Sequence, residues 1–185
     1  MRSLISTTAH TAADPGAGSR PHSLRSVNLR EGVRALILDE NDSVLLVRFD
    51  WDGLDLPGGF WANPGGGIEV GESRQHALAR ELMEEVGLHM VDLGPEVWTK
   101  TALFPMTTWD GQVDHIHLQR VKHFDPVPGL STHELMAEHL HELRWWTLQE
   151  LASSGATFAP RGLPTLLDDL LRSGIPDQPL VITGF

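Results

Sequence analysis

A single domain that combines β-strands with α-helices is what this chain predicts, and three features carry the expectation. Two short runs dense in Val, Ile and Leu stand early, one amphipathic helix follows, and further strand-like runs lead to helical segments near the end. At 185 residues the chain can bury one substantial core but not two comfortable ones. Residues 31–185 are therefore expected to form the domain, behind a flexible N-terminal tail of residues 1–30.

The tail is rich in Ala, Ser, Thr, Gly and Arg, with a turn at Asp14-Pro15-Gly16 and no helical or strand period. Leu4-Ile5 runs at once into Ser and Thr, so no continuous apolar core of a secretory signal is present, and a cytoplasmic location is expected. Next come Val33 to Leu38 and Ser43 to Phe49, separated by Asp39-Glu40-Asn41-Asp42, which read as an antiparallel hairpin. From Trp51 to Gly67 the chain is rich in glycine and aromatic residues and reads as a loop in which backbone can approach closely.

Ser73 is placed to cap a helix through about Val86, with Gly87 as its left-handed C-terminal residue. Leu78, Leu82 and Val86 fall on one side of that helix, and Glu81, Glu84 and Glu85 on another arc. Val97 to Leu103 and Val113 to Phe124 are expected strands, joined through Pro105 and the Trp109-Asp110-Gly111 turn. Leu143 to Trp146 is a further strand, Thr147 caps a short helix through Leu151, and Leu163 to Leu171 is a C-terminal amphipathic helix.

Composition narrows the function. With 14 basic against 25 acidic residues and a net charge of -11, no basic surplus exists for gripping a nucleic acid polymer. No apolar run approaches a membrane span. The absence of cysteine excludes disulfides, thiolate metal sites and thiol nucleophiles. The acidic, histidine-bearing surface and long N-terminal arm are compatible with a homodimer.

The chemistry concentrates in Glu81-x-x-Glu84-Glu85. Positions i, i+3 and i+4 are neighbours on a helix, so the three carboxylates converge, and like charges so close are better explained with a divalent cation between them. Ala77, one turn earlier, is small enough to leave room. Taken alone, the cluster reads more readily as the solvated acidic face of a surface helix, which is what most helical Glu clusters are. The surrounding residues decide: Gly66, five intervening residues, Glu72, seven more, then Arg80-Glu81-Leu82-Met83-Glu84-Glu85-Val86-Gly87-Leu88.

That spacing matches the Nudix box at every constrained position, and the chain closely resembles the Nudix hydrolase family. With the preceding hairpin and Trp61-x-x-Pro64-Gly65-Gly66, the likeness runs from about Val33 to Leu88. The resemblance implies an α/β/α sandwich with a mixed sheet, and Mg2+- or Mn2+-dependent hydrolysis of a phosphoanhydride bond in an anionic, nucleotide-like small molecule. It implies metal binding and water activation by Glu81, Glu84 and Glu85, with Glu72 and the Gly65 carbonyl contributing. By geometry Glu84 and Glu85 suit ligands, Glu81 a ligand or orienting base, and Arg80 a group that orients the carboxylates. Family members also use a Glu outside the box; Glu138 is the choice here, from among Glu134, Glu138 and Glu142.

Trp51, Phe60, Trp61, Phe104 and Trp109 could stack on a substrate ring, with core packing as the other reading. His115 with His117, and His139 with His141, alternate on strand faces as metal or phosphate ligands would, or as ordinary packing residues. Pro105 stands about two residues from the proline associated with ADP-ribose cleavage. Isomerase relatives need a cysteine, which is absent. Two alternatives stay open, a nucleoside triphosphate pyrophosphatase and a non-catalytic module that senses nucleotides.

Overall fold

The computed structural model describes residues 27–52, 54–89, 92–103 and 108–184. Phe104, Pro105 and residues 1–26 of the expected tail lie outside them. The hairpin is present: β1 (Leu29–Leu38) and β2 (Val44–Phe49) pair antiparallel, with Ile37 opposite Leu45. Asp39 builds the reversal, its Oδ1 accepting from the amides of Asn41 at 2.8 Å and Ser43 at 2.9 Å while Asp42 takes a φ of 62°. Because β1 begins at Leu29, Leu29 and Arg30 belong to the sheet rather than to the tail.

The glycine-rich segment, expected as a loop, contributes two strands, β3 (Phe60–Ala62) beside β2 and β4 (Gly65–Gly67) beside β1. A Cβ on Gly65, at φ 125°, would collide with the Val33 carbonyl oxygen, so only glycine lets β4 settle there. The helix α1 (Arg74–Val86) has the expected ends: the Ser73 side chain accepts from the His76 amide, and Gly87 adopts φ 71°. Ala77, Leu78, Leu82 and Val86 are fully buried, so Ala77 serves the core and opens no space beside the carboxylates.

Then follow β5 (Glu96–Leu103), β6 (Gly111–Arg120), α2 (Thr132–Ala137), β7 (Leu140–Trp146), α3 (Leu148–Ser153), β8 (Phe158–Ala159), α4 (Leu163–Ser173) and β9 (Leu180–Thr183). The second downstream strand stops at Arg120, short of Phe124. Its neighbour Val121 donates to the Leu38 carbonyl where β1 also ends, and the chain then crosses the sheet, with Trp145 Nε1 bonding the Phe124 carbonyl. The elements α2, β8 and β9 were not anticipated.

The strands form one mixed sheet in the order β8-β3-β2-β1-β6-β5-β9, with β4 also on β1 and β7 on β2. β1 runs parallel to β6, β3 to β8 and β5 to β9. Alternation along β1 divides the core: Val33, Ala35 and Ile37 pack under α1, whereas Leu36 and Leu38 join Leu151, Leu163 and Leu167 from α3 and α4. The sandwich thus has helices on both faces. Among the described residues no helix is long and apolar enough to cross a membrane.

Gly87 fixes where α1 ends, and its backbone packs on Val127, whose carbonyl oxygen a Cβ would strike. Gly87→Ala is therefore expected to destabilise the fold by about 1–3 kcal/mol, read as a lower urea midpoint with an unchanged slope.

Candidate active site

The carboxylate arc of α1 lies against β4. The Gly65 amide donates to Glu85 Oε2 at 2.7 Å, and a Cβ on Gly66 would come within 2.5 Å of Glu81 Oε1, so glycine lets that carboxylate rest on the strand. Glu81, Glu84 and Glu85 line one cavity of about 380 Å³ with Gly65, Gly66, Gly67 and Glu138. Glu81 and Glu85 are 8% and 3% exposed, while Glu84 is half-buried. The helix therefore aims two carboxylates inward rather than into solvent.

Arg80 gathers the group. Its Nη1 donates to Glu81 at 2.8 Å and Glu84 at 3.4 Å, Nε and Nη2 grip Glu72 at 3.2 and 3.0 Å, and Nη2 also reaches the Gly67 carbonyl. The Arg80 hydrogen bond holds the Glu72 carboxyl below its usual range. Glu72 is thereby committed to Arg80 and does not line the cavity. A second arginine, Arg34 on β1, was not singled out in the sequence. Its Nη1 donates to the carbonyls of Asn63 and Gly65, both at 2.9 Å, and its Nε lies 3.2 Å from Asp114, which also pairs with Lys100 at 3.3 Å. Burial pushes the Asp114 carboxyl up, but Arg34 and Lys100 outweigh it and hold it below the usual range.

Burial pushes Glu85 up to about 8, against the opposing pull of the Gly65 amide and Arg34. Burial raises Glu81 too, with Arg80 opposing. Among the described residues no three or more acidic or imidazole side chains are, as placed, arranged to hold a metal ion. The donor set nonetheless fits a hard divalent cation: it consists of oxygens, two of its carboxylates are desolvated at a cost that a cation would offset, and all three open on one cavity.

Of the three downstream glutamates, Glu138 lines the cavity. Glu134 is consumed in the capping box of α2, and Glu142 pairs with Arg48 at 3.1 Å. The aromatic candidates separate. Trp61, 7% exposed, packs edge-on against Trp146 in the core on the far face, and so is corrected from a substrate contact to a core residue. Phe49, not anticipated, lines the cavity, with Phe60 stacked on it at 5.6 Å and Trp51, 40% exposed, edge-on to Phe60. Trp109 is half-buried and away from the cavity lining, and Phe104 lies outside the described residues.

The histidines do not converge on the cavity. His115 bridges Glu96 and Arg74, His117 bonds the Gly94 carbonyl, His141 bonds the Asp50 carbonyl, and His139 packs beside Trp51.

The sequence model of the NUDIX domain matches residues 28–166. An RNA pyrophosphohydrolase of Campylobacter jejuni subsp. doylei is 35% identical over 109 residues, 52% of this chain and 65% of that protein. A Mycobacterium tuberculosis protein provisionally named 8-oxo-dGTP diphosphatase 2 is 36% identical over 93 residues, 47% of this chain and 61% of that one. The chain thus spans less than two thirds of either curated relative. Among solved structures, the MutT protein of Methanosarcina mazei Go1 superposes with a TM-score of 0.59 at 22% identity, covering 81% of this chain and 98% of that one. That likeness confirms the sandwich fold.

A carboxyl whose folded pKa is raised destabilises the fold as it is forced to ionise. Between the ordinary value of 4.5 and about 8 the folded state binds the Glu85 proton more tightly than the unfolded state does. Metal-free protein is therefore expected to lose stability as pH rises through that window, and Glu85→Gln to flatten the dependence, as followed by urea unfolding across pH.

Proposed function

The chain belongs to the NUDIX family, and on that premise we propose that it is an Mg2+- or Mn2+-dependent hydrolase. Its proposed substrate is a nucleoside diphosphate linked to another moiety, cleaved by water at the phosphoanhydride bond. One observation carries this reading: three carboxylates of one helix face and the backbone of β4 surround a single cavity, and two of those carboxylates are buried.

Glu81, Glu84 and Glu85, with the Gly65 carbonyl, would hold the ion, which when bound neutralises phosphoryl oxygens and acidifies water. The protein's own groups supply order. Arg80 fixes Glu81 and Glu84 in place, so little side-chain freedom remains to be lost when they act. Glu85 is held by the Gly65 amide, and Glu138 faces the same space as a further ligand or as acceptor for the proton of the attacking water. Phe49, backed by Phe60 and Trp51, offers an apolar wall on which a base or sugar can rest.

The name of the Mycobacterium tuberculosis relative favours a second reading within the same chemistry, a nucleoside triphosphate pyrophosphatase. The Campylobacter relative's name points to RNA, but a net charge of -11 supports a small nucleotide over a polymer here. A module that only senses nucleotides has no need of the full carboxylate set, and every box carboxylate is present.

Hydrolysis of nucleoside diphosphate conjugates, dinucleoside polyphosphates and nucleoside triphosphates, with products read by mass, tests the proposal. Turnover should require Mg2+ or Mn2+ and fall by about 100-fold or more in Glu85→Gln. Turnover that survives EDTA would refute the mechanism, and tight nucleotide binding with no turnover would favour the sensor.

A further inference from the structure

Three arginines line the carboxylate cavity: Arg30, Arg34 and Arg80. Two of them are committed within the protein. Arg80 is spent on Glu72, Glu81, Glu84 and the Gly67 carbonyl, and Arg34 on the carbonyls of Asn63 and Gly65 and on Asp114. Arg30, half-buried in β1, has no hydrogen-bond or ion-pair partner among the described residues.

Its position is nevertheless fixed. The guanidinium lies against Gly67, and the three heavy atoms nearest to a Cβ built there are Nη2, Cζ and Nε of Arg30. Gly67 needs no left-handed backbone, so what its missing side chain provides is room for that guanidinium. The cavity also presents Glu69, Glu81, Glu84, Glu85 and Glu138 to anything that enters. An anionic ligand entering it needs a cation that is not already neutralised, and a planar fork of free N–H groups suits two oxygens of one phosphoryl group.

We propose that Arg30 is a substrate-binding residue that receives a phosphoryl group of the diphosphate, held on β4 by the absence of a side chain at Gly67. The inference rests on the hydrolase reading above and deepens it. It assigns a function to a residue that by sequence belongs to the tail.

The test is calorimetric titration of the whole chain with methylenediphosphonate in the presence of Mg2+, beside KM for a substrate found in the hydrolysis screen. Arg30→Gln should weaken diphosphonate binding and raise KM by about tenfold or more, with kcat and the unfolding midpoint little changed, and Arg30→Lys should recover part of the loss. Gly67→Ala should reproduce the defect by displacing the guanidinium. In the Arg30→Gln background it should add less than about twofold, because both changes remove the same contact.

Binding by Arg30→Gln within about twofold of wild type, or effects of the two substitutions that multiply, would overturn the assignment. If Arg30→Gln does not fold, Gly67→Ala decides alone: a loss of about tenfold supports the proposal, and a loss under about twofold overturns it. A wild type that neither binds the diphosphonate nor hydrolyses any phosphoanhydride defeats the hydrolase reading itself, and this inference with it.

Discussion

The hydrogen bond from the Gly65 amide to Glu85 is 2.7 Å long and joins the edge of β4 to the acidic side of α1 at the point where both are buried. It requires a glycine at φ 125° on the strand side and a carboxylate at the penultimate position of the helix on the other. Around it the remaining pieces fall into register. Gly66 admits the Glu81 carboxylate, Arg34 grips the Gly65 carbonyl from β1, and the apolar stripe of α1 seats on Val33, Ala35 and Ile37. A single buried donor thus couples the sheet, the helix and the cavity wall.

Charge in this region is balanced in layers. Arg80 lies between Glu72 and the helix carboxylates, where its planar donors can satisfy several acceptors at once. Arg34 stands further in, with Asp114 and Lys100 behind it, so that these buried charges are paired with one another. Glu85 is the exception. Its one direct partner is a backbone amide, and burial drives its carboxyl up to about 8. A buried carboxylate at a cavity wall is costly for a fold, and in the proposed reading a divalent cation would offset that cost.

The local parts of this arrangement were legible in the sequence. Ser73 and Gly87 mark the ends of α1 because capping and left-handed backbone are properties of neighbouring residues. The convergence of Glu81, Glu84 and Glu85 follows from helical spacing alone. What could not be read is long-range. Gly65 to Gly67 reads as loop because its strand character comes from β1, some thirty residues earlier in register. Arg34 sits in an apolar run and Arg30 in an apparent tail, and only pairing with β4 and β6 turns them toward the site. Phe49 rather than Trp61 lines the cavity for the same reason: which face of the sheet an aromatic residue occupies depends on register, not composition.

The central claim is that Glu85 is a buried carboxylate whose ionisation a divalent cation supports. Its most direct test is the proton balance of Mg2+ binding, measured by titration calorimetry in buffers of different ionisation enthalpy. At a pH well below 8 the ion should displace the Glu85 proton, so binding should release a proton, and the release should vanish both at higher pH and in Glu85→Gln. Mg2+ binding with the same proton balance in wild type and Glu85→Gln across that range would contradict the account.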